Sequence, residues 1–143
     1  MKYLVTIILL ATLVMGNYAH ATAKAAFELS QNDKSKDKNK KIAHELIDGG
    51  FYFSAIPYIN NYLEDHVEID AQLENDIETL VVKTGTMAVL NLEEKKLEKF
   101  SIPSISLILG TRLFNKEQYE KAYEILSRIP ETHKFAIEAN LMK

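Results

Sequence analysis

The chain has 143 residues, room for one domain, and its 47% hydrophobic and 26% charged residues are ordinary globular values that exclude wholesale disorder and a fibrous repeat. A net charge of -3 lacks the basic footprint of a nucleic-acid binder. The absence of cysteine rules out disulfides, thiolate metal sites, a thiol nucleophile and a lipid-attachment cysteine behind the apolar start.

The chain opens with Lys2 and an apolar run from Tyr3 to Met15 broken only by Thr6 and Thr12. Small residues follow in two cleavage-like patterns, Ala19-His20-Ala21 and Ala21-Thr22-Ala23. A positive start, an apolar stretch and small residues in that order make a secretory signal peptide, residues 1–23, cut after Ala23 with Ala21 as the second choice. Cleavage removes Lys2 and no acid, and it directs the chain to the periplasm or outside the cell. The alternative is an uncleaved N-terminal membrane anchor, although a span needs roughly 20 apolar residues.

Residues 24–40 read as a charged flexible tether: from Ser30 to Lys41 the chain is almost wholly polar and sets five lysines against Asp33 and Asp37. Its lysines offer weak contact with an acidic envelope surface. Beyond Lys41 the apolar spacing is helical, as in Tyr52, Ala55, Ile56, Ile59 and Leu63, and again in Tyr119, Ala122, Tyr123 and Leu126. Stops fall at Gly49-Gly50, Ser101 with Pro103, Asn115 and Pro130. Pro57 requires its helix to begin near residues 51–53, which places the proline in or just after the first turn. The fold class is therefore all-α, with helices of about 12 to 15 residues in antiparallel pairs joined by short turns.

Two of these segments superpose. Ala43 precedes Ala55 by twelve residues with Tyr52 three before the second alanine; Gly110 precedes Ala122 by twelve with Tyr119 three before. Small residues at such points let two helices approach closely. On this pattern, with Leu109-Gly110, Leu113, Ala122 and Leu126, the chain resembles the tetratricopeptide repeat (TPR) family. Leu113 stands where the family usually has tyrosine, Leu126 where a larger aromatic is common, and Ser106 where tryptophan is often found. The interval from Ala55 to Ala122 is one position short of two family periods of roughly 34 residues each. A middle repeat should therefore place its small residue near Val89, where Ala88 stands. Asp76 and Thr79 depart from the pattern there. The resemblance implies a short α-solenoid over residues 41–143, with repeats at 41–66, 69–99 and 103–130 and a terminal helix at 133–143. That last helix reads as a cap, or as the opening of a longer protein whose apolar end favours homo-oligomers.

No residue pattern carries catalysis, a cofactor or a metal. His44, His66 and His133 lack the spacing of paired ligands on one helix, and Asp65-His66 are helical neighbours that point apart. Nucleophile-elbow and phosphate-loop motifs are missing, so an enzyme is not expected. An acidic block, Glu64, Asp65, Glu68, Asp70, Glu74, Asp76 and Glu78, reads as a solvated face able to steer a basic partner. The resemblance implies a protein partner, a peptide or amphipathic helix, held in a concave groove formed by the first helix of each pair. By that resemblance the groove is lined by Lys40, His44, Ile47, Leu73, Ile77, Val81, Leu107, Thr111 and Phe114. The function so implied is a scaffold or interaction module of the bacterial cell envelope. Its rivals are the docking region of a larger cell-wall enzyme and a self-associating structural protein.

Overall fold

The computed structural model describes the backbone of residues 2–143 and the side chains of residues 16–143; Met1 and the side chains up to residue 15, where most of the expected leader falls, lie outside the described part. Among the described residues the chain is all-helical, with no strand. The helices are α1 (Lys2–Asn32), α2 (Lys38–Asp48), α3 (Tyr52–Asp65), α4 (Ala71–Thr84), α5 (Thr86–Val89), α6 (Glu94–Leu97), α7 (Pro103–Asn115), α8 (Tyr119–Leu126) and α9 (Ala136–Leu141). No helix of the described residues is long and apolar enough to cross a membrane.

Two hairpins, α2–α3 and α7–α8, are the closest-packed pairs of the chain beyond α1, and α4 lies between them, touching α2 and α3 on one side and α7 on the other. Both hairpin turns close in the same way. In the first, the N–H of Phe51 donates to the carbonyl of Leu46 at 2.8 Å and that of Gly50 to Ile47 at 2.9 Å. In the second, Gln118 donates to Leu113 and Glu117 to Phe114, both at 2.9 Å. This pair of bonds is the Schellman helix stop, which needs one residue in the left-handed region. Gly50 fills that role at φ 80°, and Glu117 fills it at φ 61°. Each donor and acceptor of the second turn follows its counterpart in the first by the same interval that separates Ala122 from Ala55. The following helices start on the matching tyrosines, Tyr52 and Tyr119.

The small residues sit where the helices meet. Ala43, Ala55 and Ala122 are each 0% exposed. A β-carbon on Gly110 would lie 2.4 Å from Leu126 Cδ2, so side chains of α8 already occupy the space beside α7. Pro103 opens α7, where its missing N–H has no helical partner to lose. Pro57 is the sixth residue of α3 and exposed, so its ring interrupts the ladder on the solvent side. For α4 the signals agree: Asp70 caps its start by accepting from the N–H of Leu73 at 2.9 Å, and Gly85 at φ 83° ends it.

The middle unit departs from the expected pair. Its second helix is missing: α5 and α6 have four residues each, and the backbone from Leu90 to Glu93 is extended or irregular. Ala88, expected to be the close-packed small residue, is exposed, and Val89 is buried instead. Side chains from neighbouring helices hold this stretch. Asn60 donates to the carbonyl of Val89 at 3.1 Å and accepts from the N–H of Asn91 at 2.7 Å, while Arg112 donates to the carbonyl of Leu92 at 2.9 Å. Backbone groups that a helix would pair internally are thus paired laterally, so Val89, Leu90 and Leu92 can still be buried.

The segment expected as a tether is also different. Residues 24–32 continue α1, whose Ala26 is buried at the contact with α2, and α2 starts at Lys38 rather than Lys41. Only residues 33–37 remain as a turn. Asp33 accepts from the N–H of Ser35 at 2.7 Å and from Lys41 Nζ at 2.8 Å, and Lys38 Nζ reaches the carbonyl of Ser30 at 2.6 Å. The lysines that read as solvated spacer are partly used as local ties, and the ammonium of Lys41 with the Ser35 hydroxyl holds the Asp33 carboxyl well below the usual range.

Replacing Gly110 by leucine should overpack the α7–α8 contact and lower unfolding stability by about 1–3 kcal/mol, read by urea denaturation. Unchanged stability would mean that the two helices do not nest at this glycine.

Candidate functional site

The residues expected to line a groove lie on α2, α4 and α7, the helices that succeed one another through direct contact. They do not form an open groove. Ile47, Leu73, Ile77, Val81 and Leu107 are core residues, between 0% and 6% exposed. Contacts between the helices consume those side chains, so they cannot also meet a partner. Lys40, His44, Thr111 and Phe114 are half-buried and remain reachable.

At the α2 end, Lys40 Nζ pairs with Asp70 Oδ2 at 2.7 Å and lies 5.9 Å from the centre of the Tyr62 ring. The pair holds the lysine above and the aspartate below their usual ranges, each mainly through the hydrogen bond to the other. One turn on, His44 Nδ1 sits 3.2 Å from both carboxylate oxygens of Asp76, and its Nε2 is 3.7 Å from Asp48. Asp76 is 1% exposed, and burial pushes its carboxyl upward against the opposing pull of His44. Lys40, His44, Gln72 and Leu29 of α1 border a small cleft of about 190 Å³.

Further along α4, Glu78 accepts from His133 Nε2 at 3.0 Å and also pairs with Lys134. The N–H of Phe135 donates to His133 Nδ1 at 3.3 Å, leaving Nε2 to face Glu78. On α7, Thr111 donates to its own helix at the Leu107 carbonyl and reaches Met142 Sδ at 3.8 Å. Phe114 meets Tyr119 edge to face, with ring centres 5.4 Å apart.

Asp76 and Glu78 are the side chains missed when the acidic block was read as a solvated face. A signal for Asp76 was present: it lies between Leu73, Ile77 and Leu80, on the stripe that α4 buries. Asp70 likewise works as a helix cap rather than as free charge. His66 stacks on Tyr62 with ring centres 4.0 Å apart and binds that residue's carbonyl. A larger open cleft of about 700 Å³ lies elsewhere, beside the irregular stretch, lined by Met87, Leu92, Arg112 and Lys116 among others. Burial there lowers the Arg112 pKa, and Lys116 pairs with Glu94 at 2.5 Å. Among the described residues no three His, Cys, Asp or Glu side chains converge as a metal site. No family model, curated protein or solved structure matches the chain.

The buried carboxylate makes a pH prediction. Because the Asp76 pKa is raised on folding, the native state holds the extra proton between the unfolded value of 3.8 and the folded one. Its contribution to stability is therefore lost as pH rises through that window. Asp76→Asn should match the parent chain at the acidic end and exceed it at pH 7 by on the order of 1 kcal/mol. His44→Ala, which strands the buried carboxylate, should instead lose about 1–3 kcal/mol at pH 7. Urea melts from pH 3.5 to 7.5 check both, and a pH-independent difference between Asp76→Asn and the parent would contradict the assignment.

Proposed function

We propose that this chain is an exported protein-interaction module, a short TPR-like stack of helix pairs whose first helices, α2, α4 and α7, present the face that a partner meets. The observation that carries the reading is the equivalence of the two hairpins, bond for bond, at the interval that separates Ala55 from Ala122. A chain that repeats one hairpin and packs successive first helices against each other makes a continuous surface, the usual use of such stacks. The middle pair is degenerate in its second helix only; its first helix, α4, keeps a full 14 residues on the proposed face. Export rests on the leader-like segment 1–23, with an N-terminal anchor as the alternative. The accessible part of the face is Lys40 and His44 at one end and Thr111 and Phe114 at the other. It combines charge at the first end with an aromatic at the second, which suits a peptide or amphipathic helix. Service as the docking region of a larger cell-wall enzyme would use the same face.

A self-associating structural role has its own support, since Ile137 and Leu141, on one side of α9, are 78% and 82% exposed. Photo-crosslinking separates the two readings. A photoreactive amino acid at Thr111 or Phe114 in the full chain, activated in the intact envelope, should give an adduct with one other protein. The same group at Phe53, an exposed residue of α3, should not. Adducts only between copies of the chain, arising from Ile137, would overturn the docking role in favour of self-association.

A further inference from the structure

The last eleven residues do more than continue the stack. α9 has only six residues and its contacts with any one helix are sparse, yet Phe135 and Ala139 are buried, 5% and 0% exposed, in the same core as Ile77 and Leu107. Polar ties fasten the segment at both ends. His133 and Lys134 converge on Glu78 of α4, and Met142 reaches Thr111 of α7. The segment therefore runs from the middle of α4 to the middle of α7, across the face on which a partner groove is expected. Of its buried or packed side chains, Phe135, Ala136, Ala139 and Met142, three fall at i, i+4 and i+7, the spacing with which an amphipathic helix seats itself in a groove. Its charge matches as well: the half-buried carboxylate of Glu78 meets two basic side chains that lead the helix.

We propose that residues 133–142 are an internal occupant of the α4–α7 face, and that the partner is a short helix of the same chemistry, one or two basic residues followed by apolar anchors at i, i+4 and i+7, which displaces it. The proposal rests on the docking reading above and names the class of partner. Ile137 and Leu141 lie on the outer side of the seated helix, exposed because the apolar side facing α4 and α7 is a different one.

The test uses the full chain and a labelled synthetic peptide, ETHKFAIEANLMK, identical to residues 131–143. Two variants loosen the internal copy without touching the face: Lys134→Glu, which sets a carboxylate against Glu78 and alters a half-exposed side chain, and Ala139→Glu, which removes an anchor. The peptide should bind either variant at least tenfold more tightly than the parent chain, and adding Glu78→Lys should cancel most of that gain. Hydrogen exchange of residues 134–142 should be slow in the parent and fast in both variants. Equal binding to parent and variants, or binding indifferent to Glu78→Lys, would overturn the proposal. If the segment is released yet the peptide does not return to the face, it is a fixed cap, and the docking reading stands or falls on the Thr111 and Phe114 adducts alone. If the peptide exchanges but those positions give no adduct with another protein, the latch exists and the docking reading fails.

Discussion

The fold depends on α4. Leu73, Ile77, Leu80 and Val81 are buried along it, and this one helix touches α2, α3, α5 and α7. Each hairpin has one apolar flank left over after its own two helices have paired, and α4 is what covers both flanks. Hydrophobic burial on this scale, roughly 1.5–3 kcal/mol for each fully buried Leu, Ile or Val side chain, turns two local hairpins into one body. The cost is a carboxylate in the core. Asp76 lies on the buried side of α4, and its only close partner among the described residues is His44 of α2. A buried acid tied to one imidazole specifies the register of α2 on α4 more narrowly than apolar contact does, because a slip by one residue strands the charge.

Sequence periodicity reached the helices and, more finely, the turns. The twelve-residue interval between small residues and the offset between the two hairpins were both legible, and the offset holds down to individual hydrogen bonds in the α2–α3 and α7–α8 turns. Those features are local: a glycine or alanine at a crossing, a left-handed residue at a stop, a tyrosine at the next start. What the sequence hid was non-local. Nothing near Ala88 announces that Asn60 and Arg112 will satisfy the backbone of residues 89–92 from other helices and thereby make a second helix unnecessary. The same holds for the groove. Choosing first-helix residues by family position could not separate side chains that reach the surface from side chains that fill the core, since that depends on neighbours distant in sequence. The tether misled for the opposite reason, because lysine-rich composition argues against a buried core but not against helix or local ion pairs such as Lys41 with Asp33.

A single arrangement runs along the proposed face. Polar and charged pairs cross from helix to helix, Lys40 to Asp70, His44 to Asp76, His133 and Lys134 to Glu78. The first two join α2 to α4 at positions fixed by packing; the third joins α4 to a short segment with little packing of its own. Exposed and half-exposed pairs contribute little to stability, on the order of 0–1 kcal/mol each. They suit an element that must leave its seat, whereas the buried Asp76 contact suits one that must stay. Rigidity at α2–α4 thus follows from the burial of Asp76 and the packing of the two helices, and exchange at the C-terminal segment from how little of it is packed.

Native-state hydrogen exchange, resolved residue by residue, tests the dependence on α4 most directly. If α4 joins the hairpins, the slowest amides of α2–α3, α4 and α7–α8 should open together, with one free energy equal to that of global unfolding. Two separate values, with α4 exchanging at the lower one, would show two hairpins that fold independently and would contradict the account.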